Sequence, residues 1–329
     1  MAEILLHRFK ASQIEAEKWD AFIKSSPQAA IYALHGYIST LREDWEAFIV
    51  EEKGEWKALM PFIINKKGPF RFMPQAPLTQ HWGVFFEDSD LKSYQKLSKQ
   101  GKIIERICAE IEEIELFDFN LAPDFPYALP FHWHGFELKT RFTYQLDLTK
   151  DLEQLEVNLE SSHKRQIRKA KKHGLEIRWK QDFGQLEILF QQNLDAGNDL
   201  SGGDPRILPL VRKLHSYLET SNQGYIHTVY DAENTPLASG FFAHLNDKMY
   251  YLIGAQYPKA QSSGAMTYLM WESILKGKEE GIHTFDFEGS MIAGIEQFFR
   301  KFGSKPVPYL QLYKNNLPLW AKWLHKLIS

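Results

Sequence analysis

The stretch His283-Thr284-Phe285-Asp286-Phe287-Glu288-Gly289-Ser290, followed by Phe298-Phe299-Arg300-Lys301-Phe302-Gly303, decides the reading of this chain. As a strand its side chains alternate, which sends Phe285 and Phe287 to one face and Thr284, Asp286 and Glu288 to the other. Two carboxylates then share one side of a strand end, and a basic, aromatic helix follows directly. Rigid elements of this kind are a plausible frame for a transfer site.

The order of elements becomes clear on working outward from that stretch. Before it, Gln261-Ser262-Ser263-Gly264-Ala265-Met266 opens a helix running to Gly281, with Met266, Leu269, Met270, Ile274 and Gly277 at helical spacing. Three strands precede the helix, over 225–230, 237–243 and 248–254, with Asp231, Asn234, Asn246 and Asp247 between them as turn residues. That is an antiparallel meander. Further back lie helices over 185–195 and 205–220, joined by the loop 197–203, then a strand over 175–179. A charged helix from Asp151 to His173 ends at Gly174, a natural stop. After the opening stretch come a helix over 292–302 and a final strand over 309–313.

The first half repeats this order more weakly. A strand over 4–9, helices over 18–24 and 33–41, strands over 45–51 and 56–65, and a helix over 91–109 lead into Phe117-Asp118-Phe119, which matches Phe285-Asp286-Phe287 at the same place in the unit. The expected architecture is therefore α+β, a tandem duplication in which each half is a mixed sheet flanked by helices. The first domain spans 1–145; the second spans 146–329 and includes the basic helix 159–173.

Composition narrows the function classes. With 329 residues each half can bury its own core, and a formal net charge of −3 leaves no general attraction to a phosphate backbone, so DNA is not an expected partner. Any polyanion must be met by a local patch. Cys108 is the only cysteine, which excludes an intrachain disulfide and a cysteine-based metal cluster. The N-terminus lacks a basic region followed by a long apolar run, and no apolar stretch approaches the roughly 20 residues that span a bilayer. The reading is a cytoplasmic protein, with peripheral contact at the inner membrane face if its C-terminal segment takes part.

This order of elements resembles the GNAT acyltransferase fold, and its duplication resembles the Fem-like branch, the peptidoglycan amino-acid transferases and their bacterial relatives. The most specific parts are Leu159-Glu160-Ser161-Ser162-His163-Lys164-Arg165-Gln166-Ile167-Arg168-Lys169-Ala170-Lys171-Lys172-His173-Gly174, then 264–281, 285–289 and 298–303. The resemblance implies a transferase that moves an acyl or aminoacyl group from aminoacyl-tRNA, acyl-CoA or acyl-carrier protein to an amine, often on a cell-wall precursor or lipid. No permanently bound cofactor or metal is implied. In the GNAT pyrophosphate loop, Gln/Arg-x-x-Gly-x-Gly/Ala, bare amides at a helix N-terminus hold the CoA pyrophosphate. Gln261 and Gly264 fit that pattern, but Met266 stands where the small residue belongs. Fem-like relatives tend to read Phe-Lys-x-x-Phe-Gly in the late helix, whereas here Phe299 occupies the lysine slot and Arg300 and Lys301 follow it.

Amide-forming transfer needs an amine freed of its proton and a polarised carbonyl. Asp286 and Glu288 are the candidate bases or amine-positioning groups, and Arg300 and Lys301 the candidate oxyanion stabilisers. Asp286 also has a structural reading, as a backbone hydrogen-bond acceptor like its counterpart Asp118. Gln261, Ser263, Gly264, Lys164, Arg165 and Arg168 are the expected donor-binding residues. The helix that carries the last three has no acidic residue between Ser161 and Leu175, and its bland reading is a solvated face. Gln80, His81 and Trp82, in a proline-fixed loop, and Tyr144 are the expected acceptor-binding residues. His132 and His134 are read as packed or groove-lining, since a His-x-His pair alone makes a weak metal site. Trp320, Trp323, Leu324 and Leu327 share a helical face that either docks on its own domain or rests at a membrane interface. The rival to an enzyme is a non-catalytic relative that kept the fold and binds tRNA or another polyanion.

Overall fold

The computed structural model describes residues 4–195, 207–289 and 291–322. The expected loop 197–203, Ser290, and Trp323, Leu324 and Leu327 lie outside the described residues. The chain divides into two compact units, one made of the residues up to Arg141 with those from Pro308 on, the other of Phe142–Val307. The part of the chain from Pro308 onward, expected with the second half, thus joins the first unit.

In chain order the first part carries β1 (Ile4–Lys10), α1 (Ala16–Ser25), α2 (His35–Leu41), β2 (Glu46–Glu52), β3 (Glu55–Phe62), β4 (Asn65–Lys67), β5 (Phe70–Pro74), β6 (Phe85–Phe86), α3 (Ser93–Glu110), β7 (Leu116–Asn120), α4 (Leu129–Trp133) and β8 (Glu137–Asp147). Then come α5 (Leu152–Asn158), α6 (Ser161–Lys172), β9 (Glu176–Gln181), α7 (Phe183–Asp195), α8 (Ile207–Thr220), β10 (Gly224–Tyr230), β11 (Pro236–Leu245), β12 (Lys248–Gln256), α9 (Ala265–Glu279), β13 (Thr284–Asp286), α10 (Ala293–Arg300) and β14 (Lys305–Asn315).

In the first unit β1, β2, β3 and β6 form an antiparallel sheet. A second set runs β4, β5, β7, β14, with β5 parallel to β7 and β14 antiparallel to it. Its core is aromatic: Trp19, Trp45, Trp82, Phe48, Phe62, Phe117 and Phe119 are fully buried, and burial of such large apolar surfaces is the main stabilising contribution. In the second unit the order is β9, β10, β11, β12, β13 and then the end of β8. The first four are antiparallel, β12 and β13 parallel, and β13 and β8 antiparallel. The expected meander and the crossover through α9 are both present. Phe285 and Phe287 enter this unit's core with Phe242, Met249, Ile274, Phe299 and Phe302.

The duplication is visible in hydrogen bonding. β5 and β7 run parallel through three pairs that end at Pro74↔Asp118, and β12 and β13 through three that end at Tyr250↔Asp286. Each aspartate accepts from a glutamine on the adjacent antiparallel strand, Asp118 from Gln311 at 2.6 Å and Asp286 from Gln145 at 2.8 Å. The two Phe-Asp-Phe segments therefore mark one repeated feature. The flanking strands are exchanged, because the strand beside β7 is β14, from the far end of the chain, and the strand beside β13 is β8. β8 and β5 are elements the sequence reading lacks.

The basic helix is shorter than the expected 159–173. Leu159 and Glu160 are extended, so α5 and α6 are separate. Glu160 caps α6, its carboxylate accepting from the Ser162 N–H and the Ser161 hydroxyl, both at 2.6 Å, and these bonds hold its carboxyl down to about 2. The buried side of α6, His163, Ile167 and Ala170, faces the unit's interior.

Burial also sets an acid limit on the second unit. His163 donates from Nε2 to the Phe298 carbonyl at 3.1 Å and is packed on Phe302, and burial holds its pKa down to about 4. Burial lowers His227 to about 3 and lowers His215 as well. The folded state then binds fewer protons than the unfolded chain, whose histidines titrate near 6.5, so stability is full above that pH and falls as pH drops through 6.5 towards 4. Urea midpoints between pH 7.5 and 4.5 are expected to show this fall, and His163→Gln to remove roughly 1–2 kcal/mol of it. An unchanged slope in that variant would count against a neutral buried His163.

Candidate active site

β12 and β13 separate just beyond Asp286. β12 continues to Gln256, whereas β13 is stopped by a left-handed pair, Glu288 at φ 60° and Gly289 at φ 64°. Only glycine fits the second position, since a Cβ there would run into the Phe142 carbonyl oxygen and lie 2.6 Å from Thr143 Cα. Asp286 fixes this turn. Its Oδ1 accepts from Thr143 Oγ1 at 2.5 Å and the Glu288 N–H at 2.8 Å, and its Oδ2 accepts from Gln145 Nε2 at 2.8 Å. The expectation that Glu288 shares a strand face with Asp286 is corrected here, because the strand ends at Asp286 and the alternation with it.

β12 is shaped by a bulge. The register with β11 passes from Phe241↔Ile253 to Phe242↔Tyr251, leaving Leu252 unpaired on that side, a device that re-aims side chains and is frequent beside functional sites.

α10 brings the polar groups. Glu296 Oε1 accepts from the Tyr144 hydroxyl at 2.8 Å and from Arg300 Nε at 3.0 Å. Tyr144, on β8, is 7% exposed, and burial together with Glu296 raises its pKa, so at neutral pH it stays a hydrogen-bond donor. The Arg300 side chain is 60% exposed, against 23% for Glu296. Two expected residues, Tyr144 and Arg300, thus meet on a carboxylate that the sequence reading missed. The available signal was the i, i+4 spacing of Glu296 and Arg300; the tyrosine's approach from a distant strand was not visible. Lys301 is turned elsewhere: its carbonyl accepts from the Glu160 N–H at 2.9 Å, and its charge adds to the effects of bonding and burial that lower Glu160 and His163. Phe299, in the lysine slot, is buried beside Phe287 and Tyr251.

Where the chain leaves the C-terminal end of β12, Gly264 begins α9 with φ 83°, and a Cβ on it would lie 2.5 Å from the Gln166 carbonyl oxygen on α6. Ser263 Oγ accepts from the Ala265 N–H at 3.1 Å, and Lys169 donates to the Ser262 carbonyl at 2.8 Å. Gln261 lies in the turn Pro258–Ser263, and its side chain is outside what the structure describes. On α6, Arg165 and Arg168 are exposed and Lys164 half-buried, while Lys171 pairs with Glu272 at 2.9 Å.

Gln80, His81 and Trp82 lie in the first unit. Trp82 is a core residue that donates from its indole to the Tyr32 carbonyl at 3.2 Å, and His81 packs edge-on against Tyr309. The Gln80 carbonyl accepts from Asn120 Nδ2 at 3.1 Å. His134 bonds the Pro130 carbonyl at 2.8 Å. Among the described residues no three His, Cys, Asp or Glu side chains gather as a metal set, and no helix is long and apolar enough to cross a membrane. Trp320 is largely exposed and rests against Phe70.

The geometry around Asp286 gives a stability test. Asp286→Ala leaves three donors without their acceptor and is expected to cost roughly 2–4 kcal/mol in urea denaturation. Asp286→Asn, with the Gln145 amide rotated to offer its oxygen, is expected to cost well under half of that. Equal losses would contradict the assignment of the carboxylate to this turn.

Residues 158–300 match the family described as acetyltransferase (GNAT) domain. Solved structures share the fold over nearly the whole length. FemX superposes with TM-score 0.67 at 16% identity, over 97% of this chain and 99% of that one. L-PGS from Bacillus licheniformis gives 0.58 at 14%, over 94% and 95%, and a tandem GNAT protein from the clavulanic acid biosynthesis pathway gives 0.56 at 9%, over 96% and 99%. No curated protein matches by sequence. Residues 158–300 thus match the acetyltransferase (GNAT) domain family, and the chain as a whole carries a duplicated GNAT-like fold.

Proposed function

We propose that the protein is an N-acyltransferase that moves an acyl or aminoacyl group to an amine, with a cell-envelope precursor or lipid as acceptor. The observation that carries this reading is the Tyr144–Glu296–Arg300 cluster beside the point where β12 and β13 part. The amine nitrogen forms the new bond to the carbonyl carbon, the carbonyl electrons shift to oxygen, and the bond to the donor's ribose oxygen or thiol sulfur then breaks. The amine's proton ends on that leaving group. Glu296 orients the amine and takes up its developing charge, Arg300 supplies positive charge for the oxyanion, and Tyr144 holds Glu296 in place. Glu288 is a second candidate for the amine, Lys301 sits where it supports α6, and Asp286 positions the turn. FemX and L-PGS share the fold, and similarity to them supports an acyl or aminoacyl donor without a permanent cofactor.

Contacts at α9 favour aminoacyl-tRNA or acyl-carrier protein over acyl-CoA. The Ala265 N–H is already bonded to Ser263, and Gly264 faces the Gln166 carbonyl, so two features of a pyrophosphate cradle are occupied. α6 instead offers exposed Arg165, Arg168 and Lys172 to a polyanion. The exposed Trp320 offers peripheral membrane contact.

The test is mass-spectrometric detection of an acylated amine from charged tRNA, acyl-carrier and acyl-CoA donors, run beside tRNA binding at several salt concentrations. Arg165→Glu with Arg168→Glu is expected to weaken tRNA binding at least tenfold and to lower the salt slope by about 2. Binding without product from any donor would favour the non-catalytic polyanion-binding relative.

A further inference from the structure

Tyr251 lies on β12 one residue past Tyr250, the last residue paired with β13. Its ring packs 5.6 Å from Phe242 and 6.2 Å from Phe299 on α10. The unpaired Leu252 shifts the alternation by one, so Gly254 comes to the same side of the strand as Tyr251. The missing side chain of Gly254 makes room for the phenol, for a Cβ there would fall on the Tyr251 hydroxyl oxygen, and one on the facing Gly240 would lie 3.3 Å from the ring. Bulge and glycines together lay one hydroxyl over Gly254, on the stretch of β12 that no longer pairs with β13.

Among the described residues that hydroxyl has no hydrogen-bond partner. A hydroxyl with no partner in the protein adds nothing to packing that phenylalanine, filling the same space, would not supply. Packing therefore accounts for the ring and not for the oxygen.

We propose that Tyr251 is a catalytic residue of the transfer, its hydroxyl donating a hydrogen bond to the carbonyl oxygen of the acyl group as charge builds there. This rests on the acyl-transfer reading above. When the amine nitrogen bonds to the carbonyl carbon, the π electrons move to oxygen and meet the Tyr251 O–H; when the tetrahedral species collapses, they return, the bond to the leaving group breaks, and the amine's proton passes to the leaving group. Tyr251 keeps its own proton throughout. Burial raises its pKa, which suits a group that donates a hydrogen bond and does not titrate during turnover.

The test is Tyr251→Phe in the full chain, with hydroxylamine as a small surrogate amine, charged bulk tRNA and acetyl-CoA as donors, and hydroxamate formation as the readout. The expected result is a thermal midpoint equal to or above that of the unaltered protein, a kcat lower by about 10²–10³-fold, and a donor KM within about twofold. The pH profile should keep its shape. Undiminished kcat, a change confined to KM, or a lower midpoint overturns the proposal and leaves the transferase reading standing. No hydroxamate from the unaltered protein with either donor overturns both.

Discussion

Adding one methyl group at Gly289 is expected to cost the second unit roughly 2–5 kcal/mol, a large fraction of the stability of an ordinary domain. Two effects combine. The residue sits at φ 64°, where an L side chain loses roughly 1–2 kcal/mol, and its Cβ would collide with main-chain atoms of Phe142 and Thr143. Backbone in the middle of a paired strand has little room to retreat, so the overpacking cost of roughly 1–3 kcal/mol adds to the conformational one. Gly174 supplies the control: φ is 65° there, and a Cβ would meet nothing within 4 Å. Gly174→Ala should lose only the conformational part. Urea denaturation of the two variants measures the difference, and equal losses would mean that β8 yields to the methyl group.

Glu296→Gln is expected to lower transfer by about 10²-fold or more while changing stability by less than about 1 kcal/mol. The carboxylate holds Tyr144 and Arg300 at once, but the pair with Arg300 is an exposed i, i+4 contact, which contributes little to folding. Activity and stability should therefore part company here, in contrast to Gly289 and Asp286. Arg300→Met should lose a similar factor, and the double variant should lose much less than the product of the two, because the groups act as one unit. The factors come from initial rates of amine acylation. A Glu296→Gln protein with undiminished kcat would remove the cluster from the chemistry.

Local pattern made much of the fold legible. Helical spacing, turn residues between short strands and the paired Phe-Asp-Phe segments were enough for the duplicated α+β architecture, because each depends on neighbours in sequence. What escaped depends on partners far apart. The strand 137–147 has charged and polar residues along its first half and pairs with β13 only at its end, so its alternation gives a weak signal. The exchange of β14 for β8 beside the two aspartates is a choice between partners that no periodicity encodes. The break at Leu159-Glu160 was hidden because both residues are themselves good helix formers, and the bonds that the Glu160 carboxylate accepts from Ser161 and Ser162 reveal it only in three dimensions. At the site, Asp286 and Glu288 looked alike as carboxylates; backbone conformation separates them, one buried in a turn it holds and the other beginning that turn.

The exchanged strands bear on the order in which the protein is made. The first unit is not complete until β14, made after nearly all of the second unit, reaches β7 across nearly two hundred residues of intervening chain, as in the pairing Gln311↔Asn120. A nascent chain thus exposes an unfinished sheet edge while the second unit is being made, and contacts of such long sequence separation form slowly. A stop codon shortly after Val307 would spare the residues of the second unit and leave the amino-terminal one without its closing strand.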